Sequence, residues 1–344
     1  MNSKLMLDYI KDTPESIEKL LDVFERKYKK IRLPKVENVV FIGSGSSFNT
    51  AQQVSYFYEN YLCLNTKVYH PDAFVSINSL NLSKNDTLII ATSETGTSAG
   101  TNQALDKAKN EGFRTIALTQ VENTPLSEKG DYYFNFCCGI EKCNAKTKGY
   151  TNNLILLYLI GTMISKTDFD IKDLENEIRN VEEEIKKVII QFPDWFKKHR
   201  KLVLMDNLLV VGAEPYSGAT EEAALKVAET MLIQSSFTSA EEFPHGYHRT
   251  INQNRNIFFI NNDKYPLKKT VTYFKNKVKN LILINTLGGS DGDINLEPHK
   301  YYLETLSIGV VFQLLAYYLP TYLDLDPNRD SNNKYDELIN NRLE

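Results

Sequence analysis

Asn38-Val39-Val40-Phe41-Ile42-Gly43-Ser44-Gly45-Ser46-Ser47 sets how the whole chain is read. Val39 to Ile42 are β-branched or aromatic, which favours a strand, and the run stops at a glycine- and serine-rich loop. A helical stretch at 50–62 comes next. The rhythm then repeats. Short β-rich runs at 67–70, Thr87–Thr92, 115–119 and 132–136 alternate with helical stretches near 98–111 and 151–165. Strands that alternate with helices pair in parallel and carry helices on both faces, so five of them predict a doubly wound α/β sheet.

The same rhythm returns in the second half. Leu208-Leu209-Val210-Val211-Gly212 repeats Val39-Val40-Phe41-Ile42-Gly43 at an offset of 212 − 43 = 169 residues, and Ile257-Phe258-Phe259 repeats Leu88-Ile89-Ile90 at the same offset. Strands are expected at Asn207–Gly212, 256–260 and 281–285, with another at 301–303, and helices at 219–233, 267–279 and 305–319. The expected fold is therefore two tandem doubly wound parallel-sheet domains in the flavodoxin-like strand order. The expected boundaries are N-terminal helices at 1–35, a first domain at 36–168, a solvated connecting helix at 169–204, a second domain at 205–325 and a tail at 326–344.

Composition narrows the function. Across 344 residues, 40 Lys and Arg against 44 Asp and Glu leave a formal charge of −4. Such a chain has no general electrostatic pull toward nucleic acid or an anionic membrane. No secretory leader is expected, because Lys4 and Asp8 interrupt the N-terminus before an apolar run forms. The stretch 154–164 is too short to span a bilayer, and 303–319 carries Glu304, Thr305, Ser307 and Gln313, so it reads as a buried helix. Cys137, Cys138 and Cys143 lack metal-ligand spacing and a nearby His; reduced thiols and a cytoplasmic location are expected.

In an open parallel sheet, ligands bind beyond the carboxyl ends of the strands, where strand order reverses. Two Gly/Ser-rich loops, Gly43–Ser47 and Ser93–Ser98, leave strands one and three of the first copy and are expected to face one crevice. Ser93, Thr95, Thr97 and Ser98 offer hydroxyls, Gly96 permits close backbone approach, and the next helix is expected to present unpaired N–H groups. Composition leaves both a phosphate cradle and an ordinary turn with capping hydroxyls open. A P-loop is excluded because no Gly-Lys-Ser/Thr follows, and Gly43-x-Gly45 lacks the third glycine of a dinucleotide site. At the matching place the second copy has Asn261-Asn262-Asp263-Lys264-Tyr265-Pro266, which is not equipped for an anion.

The second copy offers titratable groups instead. Glu222, Lys226 and Glu229 share one face of a helix, as either a solvated salt-bridge stripe or a reactive set. Glu242-Phe243-Pro244-His245-Gly246-Tyr247-His248-Arg249 follows, with two of the five histidines. His245 and His248 have no evident third ligand, so no metal is expected.

Taken in order, these segments resemble the sugar isomerase (SIS) family, in its double-domain branch. Ser44-Gly45-Ser46-Ser47-Phe48-Asn49 looks like its first sugar loop and Ser93-Glu94-Thr95-Gly96-Thr97-Ser98 like its phosphate loop. Lys146-Thr147-Lys148-Gly149-Tyr150-Thr151 resembles the segment after strand five, and Glu222 to Glu229 with Glu242 to Gly246 resemble the catalytic helix and the His loop. In kind it is similar to the isomerase half of glutamine–fructose-6-phosphate aminotransferase and to the fructosamine-6-phosphate deglycases. The resemblance implies that Ser93, Thr95, Ser98 and the backbone at Glu94 hold a phosphate, that Ser46 and Ser47 touch sugar hydroxyls, and that Asn144 lines the pocket. It implies that Glu229 moves a proton between C1 and C2, that Lys226 assists near the ring oxygen, and that His245 opens the ring from the other subunit of a homodimer. No cofactor is implied.

Three departures shape the expected activity. The aminotransferase's glutaminase domain has no counterpart, so use of glutamine is not expected. Glu94 stands where a neutral residue is common, so its side chain must turn away from a phosphate. The tail segment Asp326-Pro327-Asn328-Arg329 resembles the family's tail only loosely, and the family's imine-forming lysine has no clear match, Lys334 being one place out. A substrate that already carries its amine needs no such lysine. The resemblance thus implies a phosphosugar isomerase acting on a 6-phosphorylated amino sugar or sugar–amine adduct, with amine release in a deglycase or deaminase; the alternative is a sugar-phosphate sensor without turnover.

Overall fold

The computed structural model describes residues 4–329, 332, 335, 338, 339 and 341–343. The chain forms two compact units. One contains Glu15–Lys142, Lys148–Glu175 and the described residues from 332 onward; the other contains the chain up to Pro14, Cys143–Thr147 and Asn176–Arg329. The boundaries read from the sequence follow chain order, whereas these units are spatial: residues before Pro14 group with the second sheet and those after it with the first.

The N-terminal sheet consists of β1 (Asn38–Ile42), β2 (Asn65–Tyr69), β3 (Thr87–Thr92), β4 (Arg114–Thr119) and β5 (Tyr132–Asn135). All its pairs are parallel, in the order β2-β1-β3-β4-β5. Every residue of β3 is buried, as expected of a strand covered by helices on both faces. Its helices are α2 (Thr13–Arg26), α3 (Ser46–Tyr61), α4 (Pro71–Ser76), α5 (Ala99–Asn110), α6 (Pro125–Lys129) and α7 (Lys148–Ile164). On α2, Ile17, Leu20, Leu21 and Phe24 recur at helical spacing, and all four are buried.

The C-terminal sheet repeats the design with β6 (Asn207–Gly212), β7 (Gln234–Ser239), β8 (Asn256–Asn261), β9 (Asn280–Asn285) and β10 (Ile294–Asn295), ordered β10-β9-β8-β6-β7 and again all parallel. Read from its other edge, this is the same flavodoxin-like order, so the fold expected from the repeat is the fold observed. Its unit holds α1 (Leu5–Lys11), α9 (Ser217–Met231), α10 (Lys268–Phe274) and α11 (Thr305–Thr321). Helix α8 (Ile171–Lys198) begins in the first unit and continues in the second. The segment Lys300–Thr321 is long and apolar enough to cross a membrane, yet 89% of its apolar 18-residue window is buried, as in a core helix.

The short helices α4 and α6 were not expected, and four further elements differ from the sequence reading. Gln234–Ser239 forms edge strand β7, which the reading missed because Gln-Ser-Ser-Phe-Thr-Ser has no apolar run; an edge strand needs little burial. The strand expected at 301–303 is a 3₁₀ turn with Tyr301 at φ 61°, and β10 takes the fifth place instead. Helix α10 is shorter than the expected 267–279. The charged helix is not merely solvated: Leu174, Ile178, Val181 and Ile185 are fully buried along one face of α8.

Candidate active site

In the N-terminal unit, β1 and β3 are direct neighbours, so the loops leaving them lie side by side at the carboxyl edge, as expected. The first loop turns through Gly45 (φ 53°, ψ −132°) into α3, a backbone shape that only glycine adopts cheaply. Ser46 and Ser47 occupy the first turn of α3, both half-buried. In the second loop Gly96 has φ +70°, and a Cβ there would lie 2.0 Å from Thr124 Oγ1. Thr95 Oγ1 and Thr97 Oγ1 lie 3.0 Å apart, and Thr101 Oγ1 donates to Ser98 Oγ at 3.1 Å. Ser93 is buried while Thr95, Thr97 and Ser98 are half-buried, so the hydroxyls form a ledge at the rim.

Two findings modify the expected cradle. The N–H of Ala99, the first of α5, is not unpaired: it donates to the Asn341 carbonyl at 2.9 Å. Leu343 N–H donates to the Thr97 carbonyl at 2.7 Å, and Ser98 bridges Arg342 in antiparallel fashion. Residues 341–343 therefore lie along the rim of this loop. Glu94 turns toward the start of α7. A Cβ on Gly149 would come within 3.5 Å of Glu94 Oε2. Glu141 is there too, accepting the Gly149 N–H at 2.8 Å. Helix N-termini favour carboxylates. Burial, then the charges of Glu141 and Glu94, push the neighbouring Cys138 thiol far up, against the pull of Lys148.

In the C-terminal unit, Glu222, Lys226 and Glu229 face one another along α9. Lys226 Nζ lies 3.3 Å from Glu222 Oε1 and 2.7 Å from Glu229 Oε2. The side chains of Lys226 and Glu222 are 1% and 2% exposed, whereas that of Glu229 is 32% exposed. The set is thus a buried ion pair with one carboxylate at the surface, not a solvated stripe. Burial alone would lower the lysine, but Glu222 and Glu229 outweigh it and hold Lys226 above its ordinary range. Lys226 is therefore a fixed cation at neutral pH, fit to stabilise negative charge rather than to act as a base.

His245 lies in a 3₁₀ turn, Phe243–His245, and is exposed. His248 follows in the next turn, Tyr247–Thr250. Among the described residues, no three His, Cys, Asp or Glu gather as metal ligands. Asn144 is exposed, with its N–H on Asn328 Oδ1 at 3.0 Å, and it belongs to the C-terminal unit rather than to that of Ser46 and Ser93. Lys334 lies outside the described residues. The sequence reading missed Arg329, whose guanidinium donates to the Thr230 and Met231 carbonyls at 2.6 and 3.0 Å and so caps the end of α9. Its only sequence signal was the loose tail resemblance.

Known proteins share the fold of this chain. Residues 32–163 match the SIS domain family. Glutamine–fructose-6-phosphate aminotransferase of Sulfolobus acidocaldarius is 25% identical over 94% of this chain and 53% of its own length, and that of Thermotoga maritima is 24% identical over 90% and 53%. The chain thus spans about half the length of the curated relatives it matches. Among solved structures, a Clostridium difficile 630 protein provisionally named a phosphosugar isomerase superposes with a TM-score of 0.86 at 25% identity, covering 97% of this chain and 98% of that one. The C-terminal domain of a glucosamine-fructose-6-phosphate aminotransferase from Francisella tularensis shares the fold, with a TM-score of 0.82 at 20% identity over 94% and 98% of the two chains. The family match covers the residues of the first sheet, and the second half of the chain repeats the same strand order.

Proposed function

We propose that this protein is a phosphosugar isomerase acting on a 6-phosphorylated amino sugar or a sugar–amine adduct. One observation carries the reading: a single chain holds both a ledge of half-exposed hydroxyls after β3 and a Lys226-centred carboxylate set on α9. The first suits an anion held by hydroxyls and amides, each such bond contributing roughly 1.5–3 kcal/mol. The second suits proton transfer beside a fixed positive charge.

In this reading Ser93, Thr95 and Ser98, with the backbone at Glu94, hold the phosphate, and Ser46 and Ser47 bind sugar hydroxyls. The Glu229 carboxylate takes a proton from one of C1 and C2 and returns it to the other, while Lys226 steadies the oxygen that gains negative charge. With a ketosamine, removal of the C1 proton gives an enaminol; protonation at C2 gives an imine at C1. Water then adds to that imine and expels the amine, leaving an aldose phosphate. Exposed His245 is assigned to ring opening in a partner copy, which requires a homodimer, and Asn144 to the sugar's surroundings. A thermal-shift screen of 6-phosphosugars and fructosamine 6-phosphates, followed by product analysis, tests the reading. A shift with turnover supports it. Binding without product from any of them favours a sensor, and no binding at all removes the reading.

A further inference from the structure

The C-terminal sheet carries a buried polar cluster that the proposed chemistry does not use. Glu304, 2% exposed, stands at the start of α11. Its Oε1 accepts the Tyr216 hydroxyl, and its Oε2 accepts the His299 backbone N–H at 3.1 Å. Tyr216 is fully buried; its Oη also lies 3.0 Å from Thr286 Oγ1, which donates to the Asn261 carbonyl at 2.8 Å. His299 faces two carboxylates of α8, with Nδ1 3.0 Å from Glu177 Oε1 and Nε2 3.4 Å from Glu184 Oε2. Glu184 also accepts the Glu297 amide and the Ser307 hydroxyl, each at 2.6 Å. From the loop after β8, Asp263 adds a further negative charge, 3.4 Å from the Tyr302 hydroxyl.

Tyr216 is the residue from which α9 starts. It is the N-cap, and its carbonyl accepts both the Thr220 N–H at 2.8 Å and the Thr220 hydroxyl at 2.7 Å. A group that fixes the Tyr216 ring therefore fixes the first turn of the helix that carries Glu222, Lys226 and Glu229.

We propose that Glu304 is a positioning residue for α9: its ionised carboxylate draws the Tyr216 hydroxyl and seats the helix, and protonation loosens the seat. The functional weight of this seat rests on α9 being the catalytic helix; the seat itself does not. A hydrogen bond to an ionised acceptor is roughly twice as strong as a neutral one. Burial pushes the Glu304 carboxyl up to about 7, against the Tyr216 hydroxyl and the backbone amides that favour its charge. His299 stays protonated to higher pH than a free histidine, because Glu184 and Glu177 outweigh its burial.

A purely structural role and a seating role predict different pH dependence. Glu304 and His299 both bind protons more tightly in the folded chain. Their contribution to stability is present at low pH and is lost as pH rises, for Glu304 from 4.5 to about 7. Seating of α9 moves the other way and improves as Glu304 ionises.

Hydrogen exchange on the full chain, expressed as protection factors for the first turns of α9, reads the seat without any substrate. Between about pH 6 and about pH 8, protection is expected to rise about tenfold in the wild type and to stay level in Glu304→Gln. Tyr216→Phe keeps the ring, loses the hydroxyl, and is expected to stay at the low value throughout. The same rise in Glu304→Gln as in the wild type overturns the proposal. Should Glu304→Gln fail to fold, Tyr216→Phe decides, and a rise that survives there overturns it equally. With substrate, kcat is expected to rise over the same interval with KM unchanged. A wild type that shows the protection change but turns over no 6-phosphosugar overturns the catalytic reading of α9 and leaves the seat standing.

Discussion

The two sheets share one strand order and differ at their carboxyl edges. After β3, the loop Ser93 to Ser98 keeps Thr95, Thr97 and Ser98 half-exposed, and the one acidic side chain in it is turned away. After β8, the corresponding loop closes on itself: Asn262 Oδ1 accepts the Tyr265 N–H at 2.7 Å and Asn261 Oδ1 accepts the Leu267 N–H at 2.8 Å. Buried Tyr216, Thr286 and Glu304 fill the remainder of that edge with hydrogen bonds to one another. The duplicated fold thus leaves its hydroxyls half-exposed at one edge and buries its polar groups against one another at the other. Buried polar groups demand partners, and Tyr216, Thr286 and Glu304 supply one another's.

The comparison can be broken at either end. Glu229→Gln is expected to lower product formation about 10²–10⁴-fold while sugar-phosphate binding, read by thermal shift, survives. Turnover equal to the wild type's would end the division between a binding sheet and a reacting helix. Lys226→Met removes the cation beside Glu222, which is 2% exposed, and is expected to cost about 3–5 kcal/mol, read from the urea midpoint. Ser93→Ala is expected to weaken sugar-phosphate binding by about 1.5–3 kcal/mol, or about 10–150-fold in Kd by calorimetry. Thr286→Ala at the closed edge should leave that Kd unchanged; equal losses from both would show that the edges do not differ as described. Gly96→Ala is expected to cost about 1–3 kcal/mol in thermal unfolding, since φ is +70° and the new Cβ would meet Thr124 Oγ1 at 2.0 Å.

Much of this contrast was legible in the chain. The glycine at position 96 and the hydroxyls around it marked the open loop, and their absence at 261–266 marked its closed counterpart. Glu222, Lys226 and Glu229 were placed on one face by helical spacing alone. The burial of Lys226 was not legible, because periodicity tells which residues share a face and not what covers that face. Nor was the pairing of Ala99 with Asn341, which joins residues far apart in sequence. Polar β7 gave no apolar signal, and the 3₁₀ turn at Lys300–Tyr302 gave a misleading one.

By itself, the sequence determined the two parallel sheets, their repeat and the residue types at each loop, because strand and helix periods and glycine conformations are local physics. Tertiary structure decided which of those groups are used up. It laid residues 341–343 along the Ser98 rim, set Arg329 on the last carbonyls of α9, and brought Glu304 to Tyr216. These are contacts between distant segments, and the energy that selects them comes from burial and from satisfying polar groups together, which no single stretch of sequence encodes.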